Sequence, residues 1–327
     1  MFYSIRHSTH FRYSEPVRQS VMEVMMQPRS EGTQSVRQFE LTTDPRARIF
    51  ARRDFLGNTV HHFDIPGAHS ALSIIAETLV EVDDDGLLPQ PEGAPSWDEL
   101  DTMNEDSENW DYLTPSKFCQ MTPLLREFKA EIGISRRDNP LQVAVDLNDA
   151  VYQSFDYVQR YTRADSPIDV ALEARKGVCQ DFSHIMISLL RDLGIPARYV
   201  SGYLYHRENS DDRSVADATH AWIEALLPGD REGSSGWVGF DPTNKLFATQ
   251  RHIRTAIGRD YADVPPTHGI YRGKTKAELQ VAVSVTPAHA PKPEEMEPVG
   301  AASWMSIPDS ALNFADDMEE MVQQQQQ

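Results

Sequence analysis

Along the first 80 residues the apolar positions recur with the period of strands. Phe2 to Tyr13 alternates apolar and polar, and Val21 to Met26 is a short apolar run halted before Pro28. Gly57-Asn58 reads as a turn between Asp54 and the segment Thr59 to Ile65, and Leu72 to Val82 is a further β-branched run. These runs predict a small sandwich-like β domain over 1–82. Residues 83–113 show no sustained period and read as an acidic linker or loop. From Leu113 onward the period changes. Leu141 to Tyr152 has helical spacing behind Pro140, Asp165-Ser166-Pro167 starts a helix into Arg175, and Gly177 ends it. A second helix over Cys179–Asp192 stops at Gly194 with Pro196 beyond. Strand-like runs follow at Ala197 to Tyr205, His220 to Leu227, Trp237 to Asp241 and Leu279 to Val285. Helices followed by strands predict an α+β core over 114–287, helices packed on an antiparallel sheet. Residues 288–327 are Pro-rich, acidic and end in five glutamines, which predicts a disordered acidic tail.

Charge changes this picture in one respect. The net charge of −19 sits in two places: residues 81–113 hold twelve acids and no base, and 288–327 hold eight acids and one lysine. The rest of the chain is balanced. No basic footprint for nucleic acid exists, and no run approaches the roughly 20 apolar residues of a membrane helix. Arg6, His7 and His10 stand where a secretory leader would be apolar, so a cytoplasmic protein is expected. Cys119 and Cys179 are too few for a disulfide framework, and two free thiols in a reducing compartment is the simpler expectation.

The candidate chemistry begins at Gly177–His184 (Gly-Val-Cys-Gln-Asp-Phe-Ser-His). Cys179 opens a helix, where unpaired N–H groups and the helix dipole favour an anion and so draw a thiol toward its nucleophilic thiolate. A buried, inert cysteine is the alternative for that residue alone. A thiolate nucleophile needs an imidazole and a group that orients it. His220, in Asp217–Trp222 (Asp-Ala-Thr-His-Ala-Trp), begins one strand, and Asp241, in Trp237–Asn244, ends the next. If the two form a hairpin centred near 230 or 231, His220 lies directly across from Asp241, within reach of a hydrogen bond. Asp181 suits the first helical turn as a structural acid. His184 is about 140° around the helix from Cys179 and is expected in the core. His61-His62 has no credible zinc partners near it in sequence. Trp222 and Trp237 are expected either as groove walls or as core.

These three segments, with Leu193–Tyr203 and Gly258–Gly269 followed by Tyr271-Arg272-Gly273, resemble the bacterial transglutaminase-like family of cysteine proteases. Arg6–Tyr13 and Met26–Arg29 resemble that family's N-terminal β domain. The resemblance covers about 1–80 and 113–286, and implies Cys179 as nucleophile, His220 as base and Asp241 as its orienting group. It implies acyl transfer on peptide or isopeptide bonds through a thioester, with the backbone N–H of Cys179 as one oxyanion donor, no cofactor, no metal, and a peptide or protein substrate. Hydrolysis is the expected outcome. Transamidation, a catalytically idle binding module and a Cys/His metal site are the alternatives. Oligomeric state is not legible.

Overall fold

The computed structural model describes residues 1–83, 96–105, 107–208, 210–228 and 235–290. The predicted acidic tail beyond 290 and residues 84–95 and 106 of the acidic linker lie outside these residues. The elements in chain order are β1 (Phe2–Val24), β2 (Gln34–Asp44), β3 (Ile49–Arg53), β4 (Thr59–Val82), α1 (Trp97–Met103), α2 (Pro123–Ile132), α3 (Pro140–Ser154), β5 (Asp156–Tyr157), α4 (Ile168–Ala174), β6 (Lys176–Gly177), α5 (Cys179–Asp192), β7 (Ala197–Leu204), β8 (His220–Pro228), β9 (Ser235–Asp241), β10 (Leu246–Phe247), β11 (His252–Gly258), β12 (Thr267–Tyr271) and β13 (Ala277–Ala288). The α+β class is the one expected.

Two long strands organise the N-terminal sheet. The runs Phe2–Tyr13 and Val21–Val24 are one strand, β1, and Thr59–Ile65 and Leu72–Val82 are one strand, β4. Both bend where their register slips, between Arg12 and Val17 on one side and around Pro66 and Gly67 (φ +101°) on the other. Each long strand therefore has a different partner on either side of the bend. Along β1, the first half pairs with β13 and the second half with β12. Along β4, β2 takes one half and β3 the other.

That pairing corrects one expectation. The order of elements places Leu279–Val285 with the C-terminal core, but the segment lies in β13, antiparallel to β1 of the first sheet, with Ile5 opposite Val285. Its alternation suits any half-buried sheet edge, and periodicity carries no information about which sheet supplies the partner. The acidic segment also holds more structure than a linker. α1 is capped by Ser96 and Glu99 in reciprocal hydrogen bonds and buries Leu100 against the core.

The core sheet runs β10-β9-β8-β7-β11 and is antiparallel throughout. Ala221, Ile223 and Ala225 of β8 share one hydrophobic cluster with Phe182, Ile185, Met186 and Leu189 of α5. α2, which the sequence reading does not single out, adds Leu125 and Phe128 to the same cluster. α4 ends at Ala174, one residue before the expected Arg175, because Arg175 caps it in the left-handed region (φ 53°) ahead of Gly177.

β11 is an edge strand, and the N-terminal region covers that edge. Gln34 Nε2 donates to the Arg254 carbonyl at 2.8 Å while its Oε1 accepts from the Arg254 amide at 2.8 Å. Asn58 does the same at Ile257, at 2.8 and 2.9 Å. Two buried side-chain amides thus take the place of a neighbouring strand. Among the described residues no helix is long and apolar enough to cross a membrane.

Candidate active site

Cys179 is the first residue of α5, immediately after the short parallel pairing of β5 with β6. The approach is tight. The Asp181 carboxylate turns back to accept from the Val178 amide at 2.8 Å, satisfying a donor at the helix start, and accepts Thr162 Oγ1 at 2.5 Å. A Cβ on Gly177 would come within 2.8 Å of that carboxylate, so only glycine fits there. Asp181 is therefore a cap, and burial raises its pKa against the hydrogen bonds that lower it. Tyr157 lies across from Gly177 in β5, and both its phenol and that of Tyr199 are pushed up by burial and then by the neighbouring Cys179 charge.

His220 stands between Cys179 and Asp241. Its Nε2 is 2.8 Å from Asp241 Oδ2, which leaves Nδ1 for the hydrogen bond with the Cys179 sulfur. Burial alone would lower the imidazole pKa. The Asp241 charge and hydrogen bond, then those of Cys179, outweigh it and raise the value to about 10. Asp241 is fully buried, and although burial opposes ionisation, the charge and hydrogen bond of His220, then those of His252, hold it well below the usual carboxylate range.

The three residues expected to act together are thus brought together, but by a register displaced from the one assumed. Ile223 pairs with Phe240 and Leu226 with Trp237, a shift of two residues from His220 opposite Asp241. Because side chains alternate with period two, a shift of two keeps both residues on one face, and they meet diagonally. Composition alone does not fix the hairpin centre, and residues 229–234 between the two strands lie outside the described residues.

Three further residues surround Asp241. Asn244 donates its amide to Asp241 Oδ2 at 2.8 Å and accepts the backbone N–H groups of Arg213 and Ser214, fastening the loop before β8 to the carboxylate. The Thr243 and Asn244 amides donate to Asp241 Oδ1 at 3.0 and 3.2 Å. His252 reaches Oδ2 from β11 at 3.2 Å. Asn244 lies inside the quoted motif, and its spacing after Asp241 was the available signal. His252 lies in a segment with no motif, and only the β7–β11 pairing reveals it.

The other histidines and tryptophans are placed as follows. His184 is buried, stacked on Phe118 at 5.3 Å, with Nε2 accepting the Tyr261 amide; burial lowers it to about 3. It is a core residue. His61 stacks on Phe39 in the N-terminal sheet. Trp222 is fully buried and stacks beside His220 at 6.1 Å, over Gly202, whose missing Cβ leaves room for the indole. It is core rather than an open groove wall. Trp237 is partly exposed, sandwiched by Arg198 and Tyr112. Both cysteines are free thiols; Cys119 is buried and pushed up to about 12.

His220, Asp241 and His252 present ligand atoms within 4.8 Å of one another. Both imidazole Nε2 atoms lie within hydrogen-bond distance of Asp241 Oδ2, at 2.8 and 3.2 Å, an arrangement in which the carboxylate accepts from each ring.

Comparison with known proteins agrees with this architecture. Residues 127–242, which span all three polar residues of the site, match the model of the transglutaminase-like superfamily, and residues 3–81 match the bacterial transglutaminase-like N-terminal region. The chain belongs to this family. An uncharacterized protein of Mycobacterium leprae is 32% identical over 283 residues, 86% of this chain and 96% of its own length. An uncharacterized protein of Mycobacterium tuberculosis is 34% identical over 304 residues, covering 87% of this chain and 92% of its own. The crystal structure of a candidate cysteine protease from Cytophaga hutchinsonii shares the fold, with a TM-score of 0.68 and 21% identity over 89% of this chain and 92% of that one.

Proposed function

We propose that this transglutaminase-like protein is a cysteine-dependent acyl-transfer enzyme that hydrolyses peptide or isopeptide amide bonds. The observation that carries the reading is the imidazole of His220, held by Asp241 on one nitrogen and hydrogen-bonded to Cys179 on the other. With His220 protonated, the sulfur beside it is stabilised as an anion, at a helix start that favours negative charge. The sulfur attacks the amide carbon. The carbonyl π electrons move to oxygen, and the backbone N–H of Cys179, unpaired at the first helical position, faces the developing oxyanion. As the tetrahedral intermediate collapses, the C–N bond breaks and His220 gives its Nδ1 proton to the leaving amine. Water then adds to the thioester, losing a proton to His220, and the sulfur leaves with the acid product freed. An amine in place of water would give transamidation.

Hydrolysis is favoured over transamidation by the absence of any evident calcium-site motif in the sequence. A peptide or protein is the fitting substrate, no cofactor is required by these steps, and two free thiols suit a reducing, cytoplasmic setting. The test is partition of the thioester: a Gln-containing peptide with a labelled primary amine is expected to give hydrolysed acid product in excess of incorporated label. Label incorporation well above hydrolysis would replace the reading with transamidation. No turnover across a broad peptide library, with Cys179 unreactive, would leave an idle binding module.

A further inference from the structure

Asp241 is fully buried, and its carboxylate is solvated by the protein. Five protein donors converge on it, and one belongs to a residue outside the three matched motifs. His252 sits at the start of β11, its side chain 1% exposed. Its two ring nitrogens have fixed roles. The Thr249 amide donates to Nδ1 at 3.1 Å, so Nδ1 carries a lone pair. Nε2 therefore carries the proton and donates it to Asp241 Oδ2 at 3.2 Å. Burial favours this neutral form.

The ring has little freedom to do otherwise. Residues 249–252 form a tight turn, with the His252 amide donating to the Thr249 carbonyl at 2.8 Å. The edge of Trp222 packs against it at 5.2 Å and 69°. The preceding Arg251 is tied to Asp212 at 2.8 Å, which fixes the turn from outside. The charged or titratable groups around the ring are Asp241, His220 and Arg251.

We infer that His252 is a positioning residue: it shares Asp241 Oδ2 with His220 and the Asn244 side-chain amide, and so helps fix the rotation of the carboxylate plane that aims the His220 imidazole at Cys179. Oδ1 is held by the Thr243 and Asn244 backbone amides and Oδ2 by the Asn244 side chain, all from the turn just after Asp241, so His252 is the donor that ties the carboxylate to β11. The inference rests on the acyl-transfer reading for its consequence, but on geometry for its content. Losing an outer partner that orients a functional imidazole costs on the order of tenfold or more.

The test uses the full chain with His252→Phe, which keeps a buried ring without donor or acceptor, and His252→Gln, whose amide can donate to Oδ2 again. Two readouts are taken. One is the downfield proton NMR signal of His220 Nε2–H, which needs neither substrate nor nucleophile. The other is the rate of Cys179 alkylation by iodoacetamide from pH 5 to 9, with thermal melting as the control for folding. The expected result is a shifted or exchange-broadened signal and roughly tenfold slower alkylation at pH 6 in His252→Phe, with both restored most of the way in His252→Gln. An unchanged signal and an unchanged alkylation profile in a folded His252→Phe protein would overturn the inference, as would equal defects in both variants. If the signal responds to His252 while wild-type Cys179 shows no selective alkylation, the acyl-transfer reading fails and the positioning role stands. If His252→Phe does not fold, the Gln variant decides: a His220 signal lost there overturns the inference.

Discussion

His220 is where the competing electrostatic effects on this site are decided. A fully buried imidazole should be neutral at pH 7, as His184 is, its Nε2 accepting the Tyr261 amide rather than facing a carboxylate. Asp241 reverses that outcome for His220 because its own charge is held by five donors and cannot be relieved by protonation. Replacing Asp241 with Asn keeps the size but removes the charge and offers an N–H where an acceptor is needed. Amide turnover is expected to fall by about 10⁴-fold, the scale for the orienting acid of a catalytic triad, measured as kcat/KM on a fluorogenic peptide. The linkage sign follows from the same shift. His220 has a folded pKa near 10 against an ordinary 6.5, so its contribution to stability is whole below pH 6.5 and fades as pH rises through 10. Wild type should therefore lose melting temperature over that window, while His220→Gln should lose less of it.

At the scale of elements, the site is the meeting of a helix start and a strand pair. Gly177→Ala forces the Asp181 carboxylate, 2.8 Å from the new Cβ, out of its cap. That should destabilise the protein by about 1–3 kcal/mol and displace the first turn of α5, read as a lower denaturation midpoint together with slower Cys179 alkylation. The helix start was legible because glycine, cysteine and an acid at the third helical position are local signals. So were α3, α5, β7, β8 and β9, whose periodicity is long or whose ends are marked by Gly and Pro. What was not legible is pairing. β1 and β4 each read as two strands because Glu15-Pro16 and Pro66-Gly67 interrupt the alternation, yet in the fold these are bends within continuous strands. β13 carries no mark of its partner, and His252 enters the site only through the β7–β11 register. The hairpin holding His220 and Asp241 was placed on the correct face and misplaced by two residues, since alternation reports parity and the turn sets the rest.

Across the whole molecule, the N-terminal sheet stands against the edge of the core sheet, and buried side-chain amides from it pair the backbone of β11 at Arg254 and Ile257. Asn58→Ala would strand the amide and carbonyl of Ile257 in a buried place, at about 1–3 kcal/mol for each; urea denaturation should show a lower midpoint. His7, which hydrogen-bonds Tyr203 across the same junction, is held at about 4, His61 at about 4 and His184 at about 3, each by burial. The unfolded chain binds protons at these residues below pH 6.5 and the folded chain does not until pH 4 or 3, so stability should fall with acid across that interval. Thermal melts from pH 7 to 4 check this, and His184→Phe, which keeps the stacking on Phe118, should flatten the slope. The central claim concerns one sulfur. Cys119, buried and pushed up to about 12, is the internal reference for Cys179. The direct measurement is the rate of iodoacetamide alkylation of each cysteine at pH 6, by mass spectrometry, in wild type and His220→Ala. The structure predicts Cys179 modified first and fast in wild type, and that preference lost in His220→Ala. Equal, slow labelling of both thiols in wild type, or rapid labelling of Cys179 that is indifferent to His220, would contradict it.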